Sequence, residues 1–354
     1  MNRGPEPEQA SPGLMTGQIN GIVSALRKSS VNNSTLLVLW PLIIVTFTVL
    51  MPGQFLQTGT AQSIAFQLPE LGLLSLAMVI PLISGGLNLA IIATANQTAL
   101  LMVWIMSAHI TADTDPAATW FWIVVALGSG LALSVAIGLS TGALIAFGGV
   151  HPILVTLGTM TFIGGLSVYL TRGKTLSGLP DAVVWISNGT IAWVPVSFII
   201  FCFVAFGIHI VMARTATGIR IHMIGSNLEA TRYSGVNTKQ SLILVYVISS
   251  VLCWMAGVIM MARFNSAGAD FAQSYLLISV LAAILGGVDP YGGFGRISGL
   301  FLSLLILQTV SSGFNLLGLS AQLALASWGA ILILAIAIQR SVEWRRTNVD
   351  RARR

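Results

Sequence analysis

The chain has 354 residues, 55% of them hydrophobic and only 8% charged, and its formal net charge is +6. Charged residues are absent from five long runs, at 29–69, 71–112, 116–171, 182–213 and 297–339. A soluble domain is excluded, because a folded surface in water must be covered mostly by polar groups. Solid apolar segments of this length predict an all-α polytopic membrane protein and not a transmembrane barrel, whose segments would be short and alternating.

Ten membrane-spanning helices are predicted, because each crossing needs about 20 mostly apolar residues. Residues 1–34 are predicted to form a cytoplasmic tail, residues 35–339 the transmembrane domain, and residues 340–354 a basic cytoplasmic tail. The spans are expected at residues 35–51, 61–84, 87–109, 120–147, 152–171, 194–213, 241–263, 271–285, 297–316 and 321–339.

The distribution of Lys and Arg predicts the orientation of these spans. Ten crossings place both termini on one side, and positively charged loops stay in the cytoplasm. With both termini inside, 14 of the 17 cations fall in cytoplasmic segments, whereas the loop that contains Asp113 and Asp115 has none. The positive net charge therefore indicates this topology and contact with anionic lipid heads, and it does not imply nucleic acid.

Glu70 is the first ionisable residue within the predicted spans, directly after Pro69. It is expected either at the start of a helix at the membrane interface or facing the outer mouth of a pathway. An ion-coupled carrier would usually place ionisable groups at mid-bilayer. Glu70 and Arg263 are the main candidates for such groups, and both can be placed near a membrane surface.

Two adjacent glycines, Gly85 and Gly86, separate the second and third spans and are followed by Asn88, Asn96 and Gln97. Adjacent glycines let the backbone unwind or pack closely, which is tolerated at membrane depth only inside protein or beside water. The neutral amides would suit an uncharged hydroxylated solute. Alternatively, the glycines form a tight helix crossing and the amides hold helices together. The sequence leaves both interpretations open.

The fifth span carries two distinct faces of small or hydroxylated residues. Gly158, Thr161 and Gly165 would share one narrow face, and Thr156 and Thr159 would share roughly the opposite face. The face of small residues suits close packing against a neighbouring helix. The two threonines on the other face can bond back to helix carbonyls or offer hydroxyls to a solute.

Residues 214–238 form a predicted cytoplasmic loop that is too polar to span the membrane. A short helix can start at Ser226 or Asn227, whose side chains can cap exposed amides, with Glu229 in its first turn and Gly235 as its stop. A surface helix that projects inward is a docking element for a soluble partner. The alternative is a helix that lies on the lipid heads.

The residues predict no enzyme, metal site or cofactor. The stretch Gly173-Lys174-Thr175 is not a phosphate loop, because the glycine required five positions earlier is Val168. Any ATP hydrolysis must therefore come from another subunit. The histidines are scattered without a paired carboxylate or close ligand spacing. They are His109, His151, His209 and His222.

Several of these motifs, in this order, resemble the ribose-type sugar permeases of ATP-binding cassette (ABC) importers, within the larger family that also holds branched-chain amino acid permeases. The resemblance covers about residues 36–339. It rests on the GG-x-[DN]-L element at 85–89, the helix VTLGTMTFIGGL with the following TRGKTLSGLP, the loop GIRIHMIGSNLEATRYSGVN, and LGGVDPYGGFGRISG at 285–299.

The resemblance implies a ten-helix permease subunit, similar in fold to the vitamin B12 importer, in a bacterial inner membrane. It implies an ABC ATPase subunit, a periplasmic sugar-binding protein and a second permease subunit, either another copy or a related chain, as partners. It also places Asn88, Thr156 and Thr159 near the translocation path. With the amides and glycines above, the predicted path residues are Gly85, Gly86, Asn88, Asn96, Gln97, Thr156 and Thr159. The implied coupling helix, which sits in a groove of the ATPase, contains Ile224, Gly225, Asn227, Glu229, Ala230 and Gly235.

The predicted function is import of a monosaccharide or related small polyol, driven by ATP hydrolysis in the separate subunit. The alternatives are a branched-chain amino acid-type permease and an ion-coupled secondary carrier. The chain departs from the family pattern at Asn88, where Asp is common, and at Ala90-Ile91-Ile92, where Ser-Val-Gly is usual. Leu276 and Ile278 stand where the family has Glu and Asp, so the exact solute stays open.

Overall fold

A computed structural model describes residues 36–111, 113–320, 322–323 and 326–330. The described part of residues 36–320 contains twelve α-helices and four strands of two residues each. The helices are α1 Leu36–Leu50, α2 Thr58–Ile83, α3 Ile91–His109, α4 Pro116–Gly148, α5 Pro152–Thr171, α6 Asp181–Asn188, α7 Val196–Arg214, α8 Ala216–Ser226, α9 Leu228–Tyr233, α10 Thr238–Phe264, α11 Tyr275–Leu285 and α12 Ile297–Leu316. The strands are β1 Leu176–Ser177, β2 Thr190–Ile191, β3 Val194–Pro195 and β4 Ser266–Ala267.

Seven helices are long and apolar enough to cross a membrane, namely α2, α3, α4, α5, α7, α10 and α12. Their bounds lie within four residues of the corresponding predicted spans. The all-α polytopic fold is therefore confirmed. The predicted first and eighth spans are the shorter apolar helices α1 and α11. Most of the predicted tenth span, residues 321–339, and the tails at 1–34 and 340–354 lie outside the described residues, so the count of ten and the likeness to the vitamin B12 importer stay predictions.

Helix α2 is the centre of the molecule. Every residue from 68 to 83 is buried, and α7, α10, α11 and α12 pack around it. Of the 18 consecutive residues that form the most apolar part of α2, 89% are buried. The corresponding share is 22% in α5 and in α7. The exposed side chains of α5 and α7 include Leu154, Phe162 and Phe203. Such a surface is expected to meet lipid or another membrane subunit, because neither requires polar side chains.

Helices α4 and α10 pack closely because small residues of α4 face α10 at four-residue spacing. A Cβ atom at Gly138 would lie 2.8 Å from the Cα of Val247, and Gly142 faces the α10 backbone equally closely. The Ser134 hydroxyl donates a hydrogen bond to the carbonyl of Ser250 at 2.5 Å. A close-packing face was predicted on α5, at Gly158, Thr161 and Gly165. That face is open in the described chain, with no atom within 4 Å of a Cβ built at Gly158.

Helix α10 defines two ends of the molecule. Its first residues lie beside α8 and α9, and its last residues lead into β4, which pairs antiparallel with β1. We call these the α8–α9 end and the β1–β4 end. Helix α6 also lies at the β1–β4 end, because the Asn188 amide donates to the carbonyl of Ala262 near the end of α10 at 3.3 Å.

Helix α11 is only half a membrane crossing. Its 11 residues make a helix about 17 Å long, whereas the hydrocarbon core is about 30 Å thick. Residues 265–274, which precede it, follow an irregular path with left-handed backbone at Asn265 and Ala272. The prediction of a helix from residue 271 is therefore wrong for its first four residues, because the chain there takes conformations that an α-helix excludes.

Candidate functional site

The break between α2 and α3, residues 84–90, is the centre of the candidate site. Gly85 has a φ of +83°, in the left-handed region that favours glycine. A Cβ atom at Gly86 would lie 2.6 Å from the hydroxyl oxygen of Tyr246, so a side chain there would force Tyr246 to move. The two glycines thus produce the unwound backbone that is one of the two structures predicted from the sequence.

Asn88 connects this break to α10. Its side chain is only 3% exposed, and its Nδ2 donates to the Oγ of Ser249 at 2.9 Å. Its Oδ1 accepts from the backbone N–H of Ala90 at 3.1 Å. Ser249 in turn donates to the carbonyl of Ala77 in α2 at 2.7 Å. The Asn88 amide is therefore engaged by the protein in this conformation.

Of the two predicted threonines of α5, Thr156 lies beside the break and Thr159 faces α4. The Oγ1 of Thr156, which is buried, donates to the carbonyl of Leu87 at 3.0 Å. The Oγ1 of Thr159 donates to the carbonyl of Val155 at 2.8 Å and lies 3.5 Å from the Oγ1 of Thr141 in α4. Both hydroxyls therefore bond to backbone carbonyls in this conformation, and Thr156 joins α5 to the break.

Asn96 and Gln97 make their contacts away from the break. The Nδ2 of the buried Asn96 donates to the carbonyls of Ala269 and Phe271, at 2.8 Å and 2.9 Å. The Oε1 of Gln97 accepts from the Oγ of Ser167 in α5. These contacts are the ones expected if the amides hold segments together. Asn96 in particular satisfies two carbonyls of the irregular segment before α11.

Tyr246 and Ser249 of α10 were missed by the sequence analysis. They are three residues apart, so they share one face of the helix and both reach the break. The Tyr246 hydroxyl is buried and makes no hydrogen bond within the described residues. The signal that could have found them is a pair of polar residues at helical spacing in an otherwise apolar helix. We call the residues that meet here the break cluster: Gly86, Asn88, Thr156, Tyr246 and Ser249.

Helices α8 and α9 form the second candidate region. Helix α9 begins after Asn227, whose Oδ1 accepts from the N–H of Ala230 at 2.9 Å. Glu229 lies in its first turn, and Gly235, with a φ of +80°, follows its end. The predicted short helix is therefore confirmed. Helix α8 was not predicted, and the side chain of Thr215 caps its N-terminus.

The predicted coupling residues divide between two faces of this pair of helices. Ile224 is buried, and Gly225 lies against the carbonyl of Ile83 at the end of α2, so both face the membrane domain. The exposed members of the set are Asn227, Glu229, Ala230 and Gly235. Two residues outside the set, Leu228 and Tyr233, expose 43% and 87% of their surface. Large apolar side chains within an otherwise polar loop are the feature by which the sequence could have identified these two residues.

Glu70 lies deep inside α2 and not at a helix start. Helix α2 begins at Thr58, and the Glu70 side chain is 0% exposed. Its Oε1 accepts from the Nη1 of Arg263 at 2.9 Å. The expectation of a helix-start carboxylate is therefore wrong, because α2 begins about three turns before Glu70. The alternative, that Glu70 faces the outer mouth of a pathway, stays a prediction, with Arg263 bound to it at the β1–β4 end.

The remaining candidates for chemistry do not form a site. Arg263 lines an open cavity of about 370 Å³ together with Gln62, Ser63 and Asn188. In the described ranges, no group of three His, Cys, Asp or Glu residues lies close enough to hold a metal ion. The arrangement offers neutral hydrogen-bonding groups at the break and a polar surface on α9 at one end.

Comparison with known proteins gives a family and a set of relatives. Residues 60–336 match the family described as branched-chain amino acid transport system / permease component. The autoinducer 2 import system permease protein LsrD of Yersinia enterocolitica serotype O:8 is 28% identical over 282 residues, which cover 78% of this chain and 82% of that protein. The protein of the same name from Photorhabdus temperata is 27% identical over 285 residues, covering 79% and 82%. No solved structure matches.

Proposed function

The chain belongs to the family of branched-chain amino acid transport system permease components, and on that premise we propose that it is the membrane subunit of an ABC importer for a monosaccharide or related small polyol. Proteins of this family are transporter subunits, so the chain is a multi-pass permease and not an enzyme. Its partners in this proposal are an ABC ATPase, a periplasmic sugar-binding protein, and a second permease subunit.

The observation that carries the proposal is the α8–α9 projection on an otherwise membrane-embedded body. A transporter without its own nucleotide site needs a surface through which a separate ATPase can move it. Leu228 and Tyr233 supply exposed apolar contacts, and Glu229 and Ala230 lie beside them on the same short helix. Ile224 and Gly225 would act on the inner side of the projection, against the membrane domain, and not in the ATPase groove itself.

The break cluster supports a neutral, hydroxylated solute. Its polar groups are one amide and three hydroxyls, and none of its members is ionisable near neutral pH. An amino acid carries both an ammonium and a carboxylate, which a buried site would have to pair with opposite charge or helix ends. A sugar or polyol needs neutral donors and acceptors only. Because the relatives are named for import of autoinducer 2, that compound is the first solute to test beside simple sugars.

The charges at the two ends of the molecule support an orientation in the membrane. The cations near the α8–α9 end are Arg214, Arg220, Arg232, Lys239 and Arg296. The β1–β4 end has fewer cations and carries Asp113, Asp115 and Asp181 as well. This distribution supports a cytoplasmic α8–α9 end in a bacterial inner membrane, with both termini inside.

Reconstitution tests the function directly. We expect liposomes that contain this permease and its ATPase to take up solute when the binding protein is outside and ATP is on the ATPase side. Ribose, autoinducer 2 and leucine are each added as a competitor of this solute uptake, and we expect ribose and autoinducer 2 to reduce it. Competition by leucine alone would indicate the amino acid branch. Uptake by the purified permease without ATPase, driven by an ion gradient, would refute the proposal.

Docking of the ATPase is tested at the exposed face of α9. Replacing both Leu228 and Tyr233 by Ala should reduce co-purification of the ATPase and ATP-driven uptake together, because the two side chains supply the apolar contact area. Trp193 is the matched control, since it is 80% exposed but lies in the β2–β3 turn. Trp193→Ala should leave ATPase association unchanged. An equal loss in both variants would argue against docking at α9.

A further inference from the structure

Four glycines from three separate segments meet at the α8–α9 end of the protein. Gly85 lies in the α2–α3 break, Gly225 near the end of α8, and Gly292 and Gly293 in the loop between α11 and α12. Three of them, all but Gly225, have positive φ values between +82° and +92°. We call these four residues the glycine junction. The segments are far apart in the sequence, so the fold alone brings them together.

Apart from the Ser226 hydroxyl, which lies close to Gly293, the contacts at this junction are made by backbone atoms. The N–H of Gly293 donates to the carbonyl of Ile83, the last residue of α2, at 2.8 Å. A Cβ atom at Gly225 would overlap that same carbonyl and the nitrogen of Gly293. A Cβ atom at Gly292 would lie 2.6 Å from the Cα of Gly85 and 3.1 Å from the carbonyl oxygen of Gly225. At these contacts no side chain separates α8 from the end of α2.

The loop between α11 and α12 is braced on both sides of the junction. The Asp289 side chain accepts from the N–H of Tyr291, and the Asp289 N–H donates to the carbonyl of Phe294, both at 2.9 Å. The Nε2 of His222 in α8 lies 3.3 Å from the carbonyl oxygen of Gly295. This loop therefore has little freedom to yield when α8 moves against it.

Backbone contacts of this kind pass on a displacement instead of absorbing it. Close-packed atoms cannot be compressed, and a glycine has no side-chain rotamer that could change to take up the movement. Helix shifts of about 1–2 Å are typical of switching proteins. Such a shift of Gly225 would move Ile83, which is followed within five residues by Gly86 and Asn88 of the break cluster.

We propose that the glycine junction is the mechanical link through which α8 and α9 open and close the α2–α3 break, with Gly225 as its positioning residue. The proposal rests on the proposed function, which supplies the ATPase that moves α9. Gly225, Gly292 and Gly293 face the membrane domain and not the ATPase. The proposal therefore gives them a role in coupling that does not depend on contact with the ATPase.

The first test compares Gly225→Ala with Gly207→Ala in the complete importer. Gly207 in α7 has no atom within 4 Å of a Cβ built on it, so the same methyl group is harmless there. The measured quantity is ATP hydrolysed per solute imported. We expect Gly225→Ala to raise this ratio about tenfold, in the range of coupling between distant sites, and Gly207→Ala to keep the wild-type ratio. Equal ratios in the two folded variants would overturn the proposal.

The second test uses the wild-type importer and does not depend on how a variant folds. Hydrogen exchange is compared between the nucleotide-free assembly and one trapped with ATP. We expect exchange to change both in α8–α9 and in residues 84–90. A change in α8–α9 with none at 84–90 would refute the link. A wild-type assembly that neither hydrolyses ATP nor imports solute would instead overturn the proposed function, and this proposal with it.

Discussion

The two ends of this permease are held together by different kinds of contact. At the α8–α9 end, backbone touches backbone through Gly225 and Gly293. At the β1–β4 end, polar side chains add to the pairing of β1 with β4, as Asn96 does toward the chain before α11 and Arg263 does toward Glu70. A side chain can rotate and keep its partner while helices shift, whereas a backbone contact cannot. The first end is therefore suited to transmitting movement, and the second to holding segments in place.

Breaking the ion pair at the β1–β4 end should have the largest effect on stability. Arg263→Ala leaves the Glu70 carboxylate buried and unpaired, which costs about 3–5 kcal/mol. Thermal unfolding in detergent measures this, with Lys174→Ala, an exposed cation at the same end, as the control. The double variant Glu70→Gln with Arg263→Gln should recover part of the loss, because no charge is left buried. If the Arg263→Ala variant unfolds at the same temperature as the Lys174→Ala control, the ion pair of Arg263 with Glu70 does not stabilise the fold.

Removing the amide of Asn96 should have a smaller and more local effect. Asn96→Leu leaves the carbonyls of Ala269 and Phe271 without their donor, and unpaired buried polar groups cost about 1–3 kcal/mol. Hydrogen exchange in residues 265–274 should therefore rise, while exchange in α8 and α9 stays unchanged. Gln97→Leu, which removes the contact to Ser167, is the neighbouring control. Faster exchange at both ends of the molecule would show that the two ends are not mechanically distinct.

The smallest expected effect comes from the cap of α9. Asn227→Ala removes the acceptor for the Ala230 N–H, and the loss of such a cap costs about 1 kcal/mol. The helix should fray, and the affinity of the ATPase should fall several-fold in a titration of detergent-purified subunits. Asn227→Asp keeps an acceptor and should restore binding. If Asn227→Ala binds the ATPase as tightly as wild type, the shape of α9 does not govern docking.

The membrane helices were predictable because their signal is local. Each long helix is a solid apolar run, so its position follows from hydropathy alone. The start of α9 was also predictable, because Asn227 and Glu229 are start signals within one turn of each other. The irregular path of the first residues of the predicted eighth span was not predictable. Hydropathy does not reveal the left-handed backbone at Ala272.

The contacts of the candidate site could not be predicted, because they join residues far apart in the chain. The motifs that contain Gly85, Gly225 and Gly293 were each visible in the sequence, but nothing in them says that they meet. Glu70 was misplaced for the same reason, since its partner Arg263 is almost two hundred residues away. Tyr246 lies in an apolar run, and its helical spacing from Ser249 was its one signal, which does not show that it contacts the break.

The short length of α11 has a consequence for ion leakage. A transporter subunit must keep protons and sodium ions from crossing while it works, and most of its helices are long enough to insulate the whole bilayer. Helix α11 provides only about half of that thickness. We therefore expect the irregular chain at 265–274, which Asn96 of α3 holds by two hydrogen bonds, to contribute to the electrical barrier beside α11.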